Sequence, residues 1–355
     1  MHDAQLATNG GARTAARPMH EYAFKPEVVR VALVVGVIVS IVFYERVQLT
    51  TGGAIVPAYL AMFLPAPIHI VTTIGAGYLT FIVVNRVIGT RWIIYGRRKF
   101  EVEMLTGLAF VGLGTAIAFS LQGVHPLFAG LSGIGFLVPG VLAHDMFRQE
   151  PRTTVIAVVG TTGIVAALMY VFASLIEISP FGGAFELPPL DAAFGYPIEL
   201  LLVAVAVSVV TGMVVFAKLE LRSGGFVSGA YLALLLLRPF DIAFAVGIAA
   251  LTYVTVVHVV MPNLLIFGRR KLSAMVLIGA VLAWTGELVV TQLTGRVPWS
   301  GFTLITLMIP SLLANDMQRQ GVEKTVWGAA ITSVAVFGVM NLVAAALVAL
   351  GFLDG

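Results

Sequence analysis

The sequence has no cysteine, which excludes disulfides, thiol catalysis and Cys-ligated metal or iron–sulfur centres together. Charge is scarce: 11% of the 355 residues are Asp, Glu, Lys or Arg, against about 25% in an average soluble domain. No Gly-x-x-x-x-Gly-Lys-Ser/Thr run occurs, so no P-loop nucleotide site is visible. No Ser-His-Asp arrangement can be assigned, and no basic, aromatic-bearing platform for nucleic acid appears. His69, His125 and His258 are isolated. His144 adjoins Asp145, but neighbours on a helix point about 100° apart and no further ligand stands near, so neither a metal nor a cofactor is expected. Residues 1–27 hold no apolar h-region of the signal-peptide kind. Asp3, Glu21 and Glu27 weaken a transit-peptide reading, leaving a disordered or surface-lying tail over 1–27.

What the chain has is apolar length. Hydrophobic residues make up 59% of it, in stretches of about 20 that recur from Val28 to Leu350. Each is long enough to cross a bilayer core of about 30 Å at 1.5 Å per residue. An all-α polytopic membrane protein is expected.

Sliding the chain against itself by 172 residues (269 − 97) superimposes YGRRKF (95–100) on FGRRKL (267–272). Gly52-Gly53 meets Gly224-Gly225, Ala58-Tyr59-Leu60-Ala61 meets Ala230-Tyr231-Leu232-Ala233, and Pro67 meets Pro239. At an offset of 171 (312 − 141), VLAHDMFRQ (141–149) meets LLANDMQRQ (312–320). Equal periods over such lengths indicate a tandem duplication. The stretch EISPFGGAFELPPLDAAFGYPIE (177–199) carries acids but no Lys or Arg. A linker is therefore placed at 177–197, between membrane repeats at 28–176 and 198–350.

A weaker repetition lies inside each half: GAIVPAYLA (53–61) resembles GFLVPGVLA (135–143), and the second half has GFVSGAYLA (225–233) and TLMIPSLLA (306–314). Pro57, Pro139, Gly229 and Pro310 interrupt these short apolar segments. A Pro inside a helix removes a backbone hydrogen bond, and in lipid the freed groups must be met by protein or water. Short, broken segments at matching places point to a transport or binding site at membrane depth. The plainer alternative is a kinked, buried helix.

Each half then has about six helical segments, two of them short and broken. Either the broken segments dip in and return, leaving four spans, or they cross, giving six. Lys and Arg gather on the cytoplasmic side. Six crossings place 15 loop cations inside against two outside, Arg238 and Arg296; four spans give eight against nine. The tail cations Arg13, Arg17, Lys25 and Arg30 argue the other way. Charge favours six. Either count is even, so the halves are parallel repeats.

With six crossings, three polar patches of each half converge on the cytoplasmic face. The first half offers Glu45-Arg46, then Arg97-Arg98-Lys99, then His144-Asp145 with Arg148-Gln149. The second offers Lys218 and Glu220, then Arg269-Arg270-Lys271, then Asn315-Asp316 with Arg319-Gln320. Guanidinium groups hold carboxylates in bidentate geometry, so these clusters suit an anionic chain or an acidic partner; a plain positive-inside anchor is the alternative. Glu287 is the one acid well inside a span and a functional candidate by default. It aligns with Thr115, and a local hydrogen bond to Thr285 or Thr291 is the plainer account. Asn341 is expected to make a helix–helix hydrogen bond.

YERVQLTTGGAIVPAYLA, YGRRKF, GIGFLVPGVLAHDMFRQ and IPSLLANDMQRQG resemble, in order and spacing, the PgsC/CapC family, the small integral-membrane subunits of bacterial poly-γ-glutamate synthase. A usual member is about as long as one half, so the chain resembles two such subunits fused. Departures are His144 for the pattern's Asn, Glu150 for its Gly, Ala217-Lys218 for Glu-Arg, and Gly229 for Pro. The resemblance implies a non-catalytic subunit in the bacterial inner membrane. It would dock a cytoplasmic, Mur-ligase-like ATP-dependent amide ligase, work beside a membrane-anchored extracytoplasmic subunit, and handle an anionic polymer. An independent secondary transporter for a small anion, and a scaffold without a conduit, are the alternatives.

Overall fold

The computed structural model describes residues 26–121, 134–178, 194–197, 200–266, 268–298 and 303–351. The expected tail up to residue 25, most of the 177–197 linker and the side chain of Arg269 lie outside the described residues. Those that are described form helices and no strand. The first half contains α1 (Pro26–Val47), α2 (Val56–Met62), α3 (Pro67–Arg91), α4 (Gly96–Leu121), α5 (Val138–Gln149) and α6 (Pro151–Ile178). The second contains α7 (Leu201–Leu219), α8 (Ser228–Leu234), α9 (Pro239–Leu264), α10 (Gly268–Thr294), α11 (Thr303–Gln320) and α12 (Val322–Ala349). α3 and α9 each pass through a π-helical segment, Val83–Ile88 and Thr255–Val260, at the same place in the repeat. Among the described residues, seven helices are long and apolar enough to cross a membrane.

The path of the short segments follows from what they touch. After α1 the chain doubles back: Thr51 Oγ1 lies 2.9 Å from Ser40 Oγ. Further on, a Cβ on Gly36 would meet the Ala58 Cβ at 2.6 Å, and Ala61 and Met62 join a buried cluster with Ala32 and Leu33. Residues 48–62 thus run alongside α1 back to the face where α1 began. α3 then rises beside α5, with the Ile134 amide donating to Thr73 Oγ1 at 2.6 Å and Gly77 against Leu142. α4 descends, Gly107 against Gly140 and Glu103 against His144. α6 returns past Gln149 to Ala32 and Leu33. Both broken segments of the first half thus run from one end of the helix bundle to the other, so its six segments alternate in direction as six passes of the bundle.

Three passes are an odd number, so α1–α3 and α4–α6 have opposite directions. Their packing corresponds: α2 lies on α6 as α5 lies on α3, and Gly36 on Ala58 matches Gly107 on Gly140. The likeness of 53–61 to 135–143 is therefore an inverted repeat nested inside the parallel one, an arrangement known from secondary transporters.

Left-handed glycines hold the extended approaches to the short helices. Gly52 has φ +75°, and a Cβ there would come within 2.7 Å of Leu142 Cδ2. Its amide donates to Asp145 Oδ2 at 3.0 Å. Gly224, with φ +79°, donates to Asp316 Oδ2 at 3.1 Å. Pro57, Pro139 and Gly229 occupy the second residue of α2, α5 and α8. Pro310 differs: it lies inside α11, which runs continuously from Thr303.

The halves meet along two seams, α1 on α10 and the neighbouring α11, and α4 on α7, which the duplication makes equivalent. Arg46, Arg98, Arg148, Arg222 and Arg319 gather at one face, and Arg238 and Arg296 at the other. The positive-inside rule predicts that the basic face is cytoplasmic. Because the chain has no Cys, labelling tests this cleanly. An Arg296→Cys protein should react with an impermeant thiol reagent in intact cells, and Arg98→Cys only after permeabilisation; both positions are exposed. The opposite pattern would invert the topology.

Candidate functional site

A cavity of about 1010 Å³ opens between the two halves. Its basic end is lined by Arg97, Arg148, Arg222, Arg270 and Arg319, with Glu45, His144, Asp145 and Asp316. Deeper walls are apolar, including Tyr59, Phe63, Met104, Phe136, Leu202 and Ile309. The broken segments pass through it, at Gly52–Val56, Gly135–Val138 and Gly225–Val227.

The repeated Asp-x-x-Arg-Gln motif divides its work. Gln149 accepts from the Thr50 amide at 2.7 Å and donates to the Thr50 carbonyl at 2.6 Å and to Thr154 Oγ1 at 3.2 Å. Gln320 repeats this with the Arg222 amide at 2.8 Å, its carbonyl at 2.9 Å and Thr325 Oγ1 at 3.0 Å. Asp145 and Asp316 hold the glycine amides. These four side chains, expected as polyanion- or partner-binding groups, bind backbone of the extended approaches; Asp145 and Asp316 line the cavity as well. Arg148 and Arg319, one residue before each Gln, line the cavity exposed.

The Gly-Arg-Arg-Lys clusters are divided as well. Arg97 lines the cavity, donates to Glu101 Oε1 at 2.7 Å and stacks 3.9 Å from the Phe216 ring centroid. In the second copy Arg270 takes the cavity position, its Nε 2.5 Å from Glu45 Oε1. Lys99 lies over the Phe147 ring, and Lys271 is buried, donating to Gln318 Oε1 at 2.5 Å. Arg46 and Arg98 are exposed outside the cavity. Asn315 lines it, buried.

Glu287 pairs with Arg30 Nη2 at 2.5 Å. Arg30 thereby belongs to the membrane part of α1 and not to a tail. Asn341 donates to the Gly195 carbonyl at 2.9 Å, tying α12 to the segment before α7. Sequence reading missed Arg222 as a cavity residue, since it aligns with Thr50 and repeats nothing. It also passed over Glu101 and Glu103; the spacing of four from Arg97 to Glu101 was the available signal for the first. Glu103 Oε2 lies 2.7 Å from His144 Nδ1, so the histidine that departs from the resembling pattern has an acid to meet.

The family model for capsule biosynthesis CapC matches residues 35–155 and again 190–326. The chain belongs to the CapC family. Its two matches fall on the two copies of the duplication. The PGA biosynthesis protein CapC of Bacillus subtilis (strain 168) is 31% identical over 142 residues, covering 40% of this chain and 93% of that relative. The capsule biosynthesis protein CapC of Bacillus anthracis is 29% identical over 146 residues, again 40% of this chain and 93% of the relative. No solved structure matches. CapC membership and the apolar helices make this a multi-pass membrane protein of capsule-polymer biosynthesis.

Proposed function

We propose that the chain is the membrane subunit of a poly-γ-glutamate-type synthase and export complex, and that the cavity between its halves receives the anionic polymer. The observation that carries this is the set of five arginines at the basic end of a cavity that two CapC units build together. A polycarboxylate leaving a cytoplasmic ligase needs cations at the mouth and a protein-lined route, because bare charge in hydrocarbon is costly. Arg148 and Arg319 make no ion pair among the described residues, which leaves both guanidinium groups for ligand carboxylates.

Arg46 and Arg98, exposed beside the cavity, are offered to the cytoplasmic amide ligase, whose ATP chemistry has no P-loop motif in this chain. The extracytoplasmic subunit would meet the opposite face. Inverted three-helix units with broken segments support transport over a pure scaffold. They equally support export of a small anion, which the length of the bound ligand distinguishes.

The test is Arg148→Ala with Arg319→Ala in cells making the full complex. Losing two charge-assisted contacts worth about 1.5–3 kcal/mol each should lower surface polymer at least about tenfold. Co-purification of the ligase should stay unchanged. If binding and surface polymer fall together, these arginines belong to the dock.

A further inference from the structure

The two seams between the halves are equivalent by the duplication but have diverged. On the α1–α10 seam, Arg30 Nη2 meets Glu287 Oε1 at 2.5 Å near the opposite face, and Arg270 Nε meets Glu45 Oε1 at 2.5 Å near the basic face. Between them Leu33, Ala280 and Ala283 are buried in one cluster. The same offset of 172 puts Leu202 at the place of Arg30, Thr115 at that of Glu287, Ala217 at that of Glu45, and Arg98 at that of Arg270. Neither ion pair can form on the α4–α7 seam. What joins that seam carries no ion pair: Leu108 is buried in one cluster with Leu201, Ala204 and Val205, a Cβ on Gly112 would lie 3.6 Å from Leu202 Cδ2, and Arg97 stacks on Phe216 at 3.9 Å. An exposed cation–π contact is worth about 0.5–1 kcal/mol.

The cavity follows the seam that has no ion pair. Along α10 it is lined from Arg270 to Val276, six residues or about 9 Å of helix. Along α4 it is lined from Arg97 to Thr115, 18 residues or about 27 Å, nearly the thickness of a bilayer core of about 30 Å. Leu201, Leu202 and Val205, in the first turns of α7, line its far end. Those turns begin at the face opposite the arginines.

We propose that the two halves work as a hinge and a gate: α1–α10 stays closed under its two ion pairs, while α4 and α7 part to let the anionic chain reach the opposite face. This rests on the passage reading above. In the structure the deep part of the slot is apolar, lined by Met104, Val111, Leu201, Leu202 and Val205. A hydrated polycarboxylate can pass only if that apolar part widens, because its charges find no cation there. Opening must bring water with it. The fused chain permits such a division of labour, whereas a symmetric pair of identical units would carry the same side chains on both seams.

The test uses the Cys-free full-length chain in cells that make the complete synthase. Gly112→Cys with Leu202→Cys is bridged by a short bis-methanethiosulfonate reagent; Arg30→Cys with Glu287→Cys is bridged likewise across the hinge. Each protein is compared with itself before bridging and after reduction. Bridging the α4–α7 pair should lower surface polymer at least about tenfold, with recovery on reduction, and bridging the α1–α10 pair should leave it within about twofold. Polymer export undiminished with α4–α7 bridged, or equally lost with α1–α10 bridged, would overturn the assignment. The arginine variants separate the two ideas. If Arg148→Ala with Arg319→Ala cuts export but the α4–α7 bridge does not, the gate is wrong and the passage stands. If the bridge acts but removing the arginines changes nothing, the arginine-lined mouth is not the route and the passage reading falls.

Discussion

Replacing Arg30 by leucine should destabilise the folded protein by about 3–5 kcal/mol, the usual cost of leaving a buried charge without its partner. The side chains of Arg30 and Glu287 are only 7% and 9% exposed, and they lie between helices where no bulk water can replace the lost partner. Glu287→Leu should cost a similar amount. Arg30→Leu combined with Glu287→Leu should recover most of the loss and can exceed the parent, since apolar replacement of a whole buried pair is often neutral or stabilising by about 1–4 kcal/mol. Unfolding of the purified protein in mild detergent, followed by denaturant or heat, gives the three values and their coupling. Glu45→Ala provides the contrast. That pair's side chains are 36% and 54% exposed, and a solvent-exposed ion pair is worth about 0–1 kcal/mol. Equal losses for Glu45→Ala and Glu287→Leu would mean that the deep pair is not desolvated.

Gly107→Val should cost about 3 kcal/mol and sharply reduce the yield of monodisperse protein. A Cβ at Gly107 would lie 2.6 Å from the Gly140 nitrogen and 3.0 Å from its Cα. A Cβ at Gly140 would in turn reach 2.8 Å from the Met104 Cα. Backbone faces backbone here, so no flexible side chain can move aside and α4 must separate from α5. Small residues are what allow membrane helices to approach this closely. Gly75→Ala on α3, where nothing lies within 4 Å, should be neutral or stabilise by up to about 1 kcal/mol through helix propensity alone. Fluorescence-detected size exclusion and thermal unfolding separate the two outcomes. If Gly107→Val matches Gly75→Ala, the α4–α5 approach is looser than drawn.

Both effects concern contacts that a single sequence hides. Arg30 and Glu287 are 257 positions apart, and Glu45 and Arg270 are 225 apart. Neither separation is a multiple of the repeat, so the duplication gives no hint of them. They arise only when the halves turn the faces of α1 and α10 toward each other. The motif residues teach the complementary lesson. Asp145, Gln149, Asp316 and Gln320 recur because the extended backbone before each short helix recurs, and that backbone needs their oxygens and amides. Repetition marked the positions but could not say whether a ligand or the chain itself occupies the hydrogen bonds.

The sequence by itself determined the helical membrane class, the duplication, the CapC resemblance and the parallel sense of the halves. Each follows from local hydropathy or from a period in the residues. Charge counting also favoured six crossings, because cations resist translocation whatever the fold. Only the tertiary structure decided that the three-helix units inside each half are inverted, that Pro310 sits within a continuous helix, and that one seam carries ion pairs while the other lines the cavity. These depend on which helix faces meet, which is fixed by packing between residues far apart in the chain and leaves no periodic trace in the sequence.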